Sequence, residues 1–459
     1  MTIQNRTATK TRLLLMALCL TLGVSTITAC GKKPSKGSSL PRGEQPGMPT
    51  REAQEEFKKA VAYFEQGDLK KAERHLEDVT DISPNFAKAW YNRGVIAEKQ
   101  GDKAKAREYY EKADSVSKKL GAPAVNLGMM SLSEGKSDDA FEYFQAAIGK
   151  DKYNPQAHNN LSVLARRQGE YEKAIVHARQ SLAGDSQNTT AYSNLALIYY
   201  KMGYNDVAKL VVLNALQISE ENADVWNTFG LVELANNDVT MAIRHFEKAA
   251  QLNPNHVQAL MNLGAITLSV RDYDQAIAYF DRVLKLNPED NEAKVSLAVA
   301  RRGKGELKEA EDIYKKVLEK EPQNAMALFN LGVLEEEHLT QAAIFGEGKE
   351  PLKNENDPIQ QMQRAMENME DAVKHQEKAR EYYEKFLSAY ESNAGGKDDR
   401  VVEARDRLGN ISKSIETFYE QIQMMKQNVE EMKNMPPPEE PPAEEEGGDG
   451  GEEQDGDGA

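Results

Sequence analysis

From Ala53 the chain repeats itself every 34 residues without a gap. Repeats begin at Ala53, Ala87, Gly121, Pro155, Thr189, Ala223, Val257 and Asn291, and the eighth ends at Asn324. The period is a matter of register. The twentieth residue is alanine in every copy: Ala72, Ala106, Ala140, Ala174, Ala208, Ala242, Ala276 and Ala310. The eighth is always glycine, alanine or serine, and the twenty-seventh never exceeds valine in size. The twenty-fourth is usually large, as at Leu76, Tyr110, Phe144, Phe246, Phe280 and Tyr314. Pro84, Pro254, Pro288 and Pro322 share the thirty-second position, where a helix must end. This pattern reads as two antiparallel helices whose backbones approach at the small positions. Such a hairpin cannot bury its apolar face alone, so copies must stack into an all-α solenoid.

The segment AWYNRGVIAEKQGDKAKAREYYEKA (89–113) carries a resemblance to the tetratricopeptide repeat family. The resemblance implies a scaffold that binds proteins, with the sixth residue of each first helix facing an inner groove. That residue is Asn92, Asn126, Asn160, Asn194, Asn262 and Asn330, with Thr228 and Ser296 between. A carboxamide both donates and accepts, so such a ladder can hold an extended peptide backbone without reading its sequence; the bland alternative is that it only keeps the groove wet. Arg166, Arg167, Lys201, Arg301 and Arg302 favour an acidic partner segment, and Glu98 and Glu336 oppose one. Treated as exposed, Asn126, Asn160 and Asn194 are expected to be replaceable by alanine with little effect on melting.

After residues 53–324, a ninth copy opens at Ala325 and is interrupted. A polar stretch (346–358) punctuated by glycine and proline precedes KAREYYEKF (378–386), where Ala379 and Tyr383 suit the twentieth and twenty-fourth positions. The spacing thus predicts an interrupted repeat over 325–392 with an inserted helix. Residues 397–434 place Val401, Ala404, Leu408, Ile411, Ile415, Phe418, Ile422, Met425, Val429 and Met432 at alternating intervals of three and four, a heptad seam. With the Gly395-Gly396 turn, this predicts an antiparallel hairpin of long helices, weakest at the polar break of Gln376 and Arg380 and open there to a partner helix. Residues 435–459 are acidic and rich in proline and glycine, a composition that cannot bury a core.

The start of the chain has the form of a secretion signal over residues 1–29. Arg6, Lys10 and Arg12 precede the apolar run LLLMALCLTLGV (13–24). Ile27-Thr28-Ala29-Cys30 resembles the bacterial lipobox, which implies acylation of Cys30 and a flexible tether over 30–52. Cys19 would leave with the signal, so no second thiol remains for a disulfide or metal site. Gly31 stands where many inner-membrane lipoproteins carry aspartate, so an outer-membrane anchor facing the periplasm is expected. Signal, array and acidic tail together resemble the tetratricopeptide-repeat lipoproteins of the myxobacterial adventurous gliding-motility machinery. Other readings are a pilus or secretin assembly lipoprotein, or a recruiter of a cell-wall enzyme.

Neither catalysis nor cofactor binding is expected. The seven histidines (75, 158, 177, 245, 256, 338 and 375) show no metal-binding spacing, and His75, His177 and His245, all at the twenty-third position, read as surface polar residues. There is no phosphate-binding loop and no nucleophile motif. Of the net charge of −16, the ten acidic residues of 436–459 supply most, and no basic stripe suits nucleic acid.

Overall fold

The computed structural model describes residues 49–354, 356–392 and 398–435, apart from the side chains at 391 and 392. The expected signal, Cys30, most of the tether, the Gly395-Gly396 turn and the tail from 436 lie outside the described residues. Every regular element among the described residues is a helix. None is long and apolar enough to cross a membrane.

The chain divides into two compact units, one up to Asp290 and one from Asn291. The first holds seven helical hairpins in the predicted register; the sixth, for example, runs Ala223–Ala235 and Val239–Leu252. Local chemistry sets the ends. Asp68, Asp102, Asp238 and Asp272 cap second helices by accepting from the backbone N–H three residues on. Asn154 and Asn188 do the same for first helices. The turn between the two helices needs a left-handed residue at the fifteenth position. Gly67, Gly101, Gly135, Gly169 and Gly203 supply it, but Asn237 (φ 62°) and Arg271 (φ 63°) take the same conformation. Asparagine tolerates it, whereas arginine stores strain there.

The core follows from the small positions. All eight alanines at position 20 have no exposed surface, and neither does any residue at position 27. Position 8 is the seat for the large residue at position 24. A methyl group added to Gly94 would lie 2.5 Å from the Tyr110 ring, to Gly128 2.6 Å from Phe144, to Gly230 2.5 Å from Phe246 and to Gly264 2.6 Å from Phe280. Where position 8 gains a side chain, position 24 usually shrinks: Ala60 with Leu76, Ser162 with Ala178, Ala196 with Val212. The second unit holds one exception, Ala298 with Tyr314.

The second unit contains the eighth hairpin (Asn291–Lys304 and Leu307–Lys320), the ninth repeat and the last helix. Ala379 and Tyr383 fall where expected, both fully buried, with Gly332 seating the Tyr383 ring. The insertion is accommodated by extending the first helix. Ala325–Val333 runs into a π-helical turn, Leu334–Leu339, then Thr340–Ile344, before one continuous helix Pro358–Ser392. The wide turn presents three consecutive glutamates to different partners. Buried Glu335 meets His375, Glu336 accepts from the Tyr383 hydroxyl (2.8 Å) and Arg407 Nη1 (2.7 Å), and Glu337 accepts from Arg407 Nη2 (2.8 Å). These contacts bind Pro358–Ser392 and Asp399–Asn434 to the ninth repeat. The last helix packs along its neighbour as an antiparallel hairpin, burying Ala404, Ile411, Ile415, Ile422 and Val429 of the heptad seam.

The expected weak point at Gln376 is overturned. Gln376 is buried and donates to Thr340 Oγ1 at 3.1 Å, so the polar break in the seam is where the helix meets the π turn, not an opening for a partner. That contact engages its amide nitrogen, while its Oε1 is enclosed without a partner.

Replacing Gly230 with alanine should destabilise the chain by about 1–3 kcal/mol, because the fully buried Phe246 ring cannot move aside. Adding Phe246→Leu should recover part of the loss by recreating the Ala60–Leu76 pair. Thermal melting of both variants tests this; a double variant less stable than Gly230→Ala would contradict it.

Candidate functional site

In the first unit the first helix Thr189–Lys201 lies beside Pro155–Arg167 and Ala223–Ala235, and side-chain bonds join fifth and sixth positions there and onward to Val257–Ser269. Asn194 Nδ2 donates to Asn159 Oδ1 at 2.7 Å, and Asn262 Nδ2 to Asn227 Oδ1 at 2.9 Å. Between them Ser193 and Thr228 share a hydroxyl hydrogen bond of 2.8 Å. Three consecutive junctions are therefore tied by a polar clasp from position 5 of one repeat to position 6 of the next. Each amide pair uses one donor and one acceptor, leaving a carbonyl on Asn194 and on Asn262 for other partners.

The expected ladder is thus not uniform. Where the preceding fifth position is apolar there is nothing to clasp: Asn92 follows Phe57 and Asn160 follows Val125, and neither amide has a side-chain hydrogen bond among the described residues. Both are half-buried. Asn126 is buried, its Nδ2 enclosed without a partner. In the second unit Asn330 is buried and returns its Nδ2 to the Met326 carbonyl of its own helix at 2.8 Å. Replacing Asn126, Asn160 and Asn194 together is therefore not a harmless surface change, since only Asn160 of the three is neither buried nor clasped. Periodicity marked the sixth position; the clasp was also legible, as polar residues at 159, 193 and 227, but only to a reading that paired residues 35 apart.

A second recurrent pair joins position 12 to position 24. The Tyr110 hydroxyl donates to Glu98 at 2.7 Å in the first unit, and Tyr383 to Glu336 at 2.8 Å in the second. Burial and then the neighbouring carboxylate push the Tyr110 phenol well above its ordinary range. Glu98 and Glu336, counted in the sequence as groove acids, are thus engaged by the chain's own tyrosines. Among the expected basic neighbours, Arg301 is paired with Glu306 at 2.6 Å.

The histidines at position 23 are packed rather than displayed. His245 is buried, its ring stacked 4.0 Å from Phe229, and burial depresses its basicity. His177 Nδ1 lies 3.1 Å from Nδ1 of the buried His158, whose Nε2 faces the Lys152 carbonyl at 2.9 Å; burial, then the His158 charge, depresses His177. Sequence separation of 19 residues hid this pair. His75 meets Glu56 at 2.7 Å, and Asp78 brings a third ligand-type atom within 4.8 Å of both. Lys59 already pairs with Glu56 at 2.7 Å, so that cluster is internally compensated.

Replacing Asn262 with alanine should lower melting by an amount corresponding to about 1 kcal/mol, because it strands the buried Asn227 amide. Replacing Asn160 should change melting far less. Equal losses would contradict the division between clasped and open amides.

Comparison with known proteins bears on the fold. Tetratricopeptide repeat models match residues 57–118 and 266–325, and 189–222 and 223–256, and a TPR repeat model matches 164–203. No curated protein matches the chain. Among solved structures, the chain is similar to the APC/C hetero-tetramer Cut9-Hcn1 at 19% identity, over 59% of this chain and 53% of that one, with a TM-score of 0.48. It therefore spans about half the length of that relative. It is similar to a thermophilic TPR protein of Thermus thermophilus at 21% identity, over 39% of this chain and 98% of the other (TM-score 0.37). Pseudomonas aeruginosa PilF shares 22% identity over 45% of this chain and 94% of its own, again with a TM-score of 0.37. The matched models, the 34-residue register and the helical hairpins agree that this is an all-helical protein of the solenoid class built from tetratricopeptide repeats.

Proposed function

We propose that the chain is a non-enzymatic scaffold of a bacterial cell envelope, tethered to the outer membrane by a lipid on Cys30, that holds an extended segment of a protein partner along its first helices. The observation that carries this reading is the pair of open amides, Asn92 and Asn160, on a face whose other sixth-position amides are clasped or buried. An extended backbone offers a carbonyl and an N–H at regular intervals, which is the complement of a carboxamide. Glycine seats and alanine contacts bury apolar surface within and between hairpins, while Asn92 and Asn160 stay half-buried on their first helices. The tether rests on the lipobox-like Ile27-Thr28-Ala29-Cys30 behind an apolar run. A tethered array followed by a long-helix hairpin suits a component that links partners within an envelope-spanning machine, and we assign it to gliding motility on its resemblance to lipoproteins of that machinery.

Two measurements test the proposal. On an array of random twelve-residue peptides, replacing Asn92 and Asn160 together with alanine should weaken binding about thirtyfold across sequences, at about 1 kcal/mol per amide. Loss confined to a few sequences, or no loss, would contradict backbone recognition. In cells, Cys30→Ser should release the protein from the membrane fraction, and unchanged association would remove the tether from the account.

A further inference from the structure

In the ninth repeat, as in the second, the chain places a glutamate at position 12 and a tyrosine at position 24, and the two bond at 2.8 Å and 2.7 Å respectively. The eighth repeat keeps the tyrosine and loses the acid. Its position 24 is Tyr314 and its position 12 is Arg302. Tyr314 has no exposed surface, and its hydroxyl has no hydrogen-bond partner. Arg302 Nη1 is also enclosed without a partner, and Arg302 makes no ion pair among the described residues. An enclosed hydroxyl and an enclosed guanidinium nitrogen left unbonded have each lost water without gaining a replacement.

Among the described residues no acid pairs with Arg302. Glu306, the acid nearest in sequence, is spent on Arg301 at 2.6 Å and Lys304 at 3.0 Å. His338 of the adjoining first-helix segment feels the Arg302 charge, which adds to burial in depressing its basicity. Arg302 as a residue is half-buried; burial pushes the Tyr314 phenol up and the Arg302 charge draws it back, so the two groups lie within electrostatic reach of each other. What this position lacks is the group that Glu98 and Glu336 provide elsewhere.

We infer that Arg302 and Tyr314 receive a carboxylate from outside the chain, the side chain of a glutamate or aspartate in an extended partner segment lying on the first-helix face. The inference rests on the peptide-binding reading given above and adds to it a preference for acidic residues. A guanidinium and a neutral phenol both donate to a carboxylate, and hydrogen bonds to an ionised acceptor are roughly twice as strong as neutral ones. The arrangement repeats an internal bond of the fold with one partner removed. Binding would therefore also relieve the two unsatisfied donors.

The test compares fluorescein-labelled hexaglutamate with hexaglutamine by anisotropy at low salt, using the full chain. Wild type should prefer hexaglutamate by about tenfold, and Tyr314→Phe and Arg302→Glu should each reduce the preference to within about twofold. Tyr314→Phe removes only an unbonded hydroxyl, so it should melt no lower than wild type; a hydroxyl with a purely structural role would leave peptide preference unmoved. Arg302→Glu should melt higher, because its carboxylate would accept from Tyr314 as Glu98 does from Tyr110. Arg302→Gln, which removes the positive charge without adding a negative one, tests the same point should the glutamate variant fold poorly. Equal binding of the two peptides by wild type, or a preference retained in the variants, would overturn the inference. If the preference survives in these variants while Asn92 and Asn160 replacement still weakens array peptides, the groove reading stands without it; the converse would leave an acid site without backbone recognition.

Discussion

The seating of a large side chain on a residue with little or no side chain is the contact on which most of the hairpins depend. Gly230 lies so close to the Phe246 ring that no Cβ fits, and the same holds for Gly94 under Tyr110 and Gly332 under Tyr383. A contact this close fixes the separation of the two helices, and the alanine at position 20 and the small residue at position 27 follow from it, since each is fully enclosed. Cores of this density tolerate compensating changes better than single ones. The chain displays such compensation within itself, pairing Ala60 with Leu76 and Ala196 with Val212.

Alongside this apolar packing within and between hairpins, polar residues on first helices take on other tasks. In the first unit they tie repeats together at Asn159–Asn194, Ser193–Thr228 and Asn227–Asn262. Where the clasp lacks its first half, as at Asn92 and Asn160, the amide is left for something else. In the second unit the same logic governs charges. The π turn Leu334–Leu339 faces its glutamates toward His375 and Arg407, so the long helices are attached through specific ion pairs as well as the heptad seam. Tyr314 and Arg302 are the place where an internal pairing rule is broken.

Much of this was legible in the residues. A strict period with alanine at position 20 left one architecture, and the interruption after Ala325 was visible because Ala379 and Tyr383 resume the register. Less was legible where function is concerned. Position 6 was singled out by recurrence alone, yet what an amide does depends on its neighbour 35 residues earlier, as Asn194 and Asn160 show. Gln376 read as a flaw in an apolar stripe because its partner, Thr340, lies on a segment whose π-helical path no periodicity announces. His158 and His177 meet only through stacking of two helices of one repeat. Glu98 read as an obstacle to acidic partners until its bond to Tyr110 was seen, and that bond is what makes the missing acid of the eighth repeat conspicuous.

In the proposed reading labour is divided between the two helices of a repeat: second helices seat the core, and first helices meet the partner. Hydrogen exchange followed by mass spectrometry on the full chain, with and without saturating hexaglutamate, tests that division most directly. Added protection is predicted in the first helices Asn291–Lys304 and Ala325–Val333, with the second helix Leu307–Lys320 unchanged. Protection gained instead in Leu307–Lys320 or in Asp399–Asn434 would place the binding surface elsewhere and contradict the account.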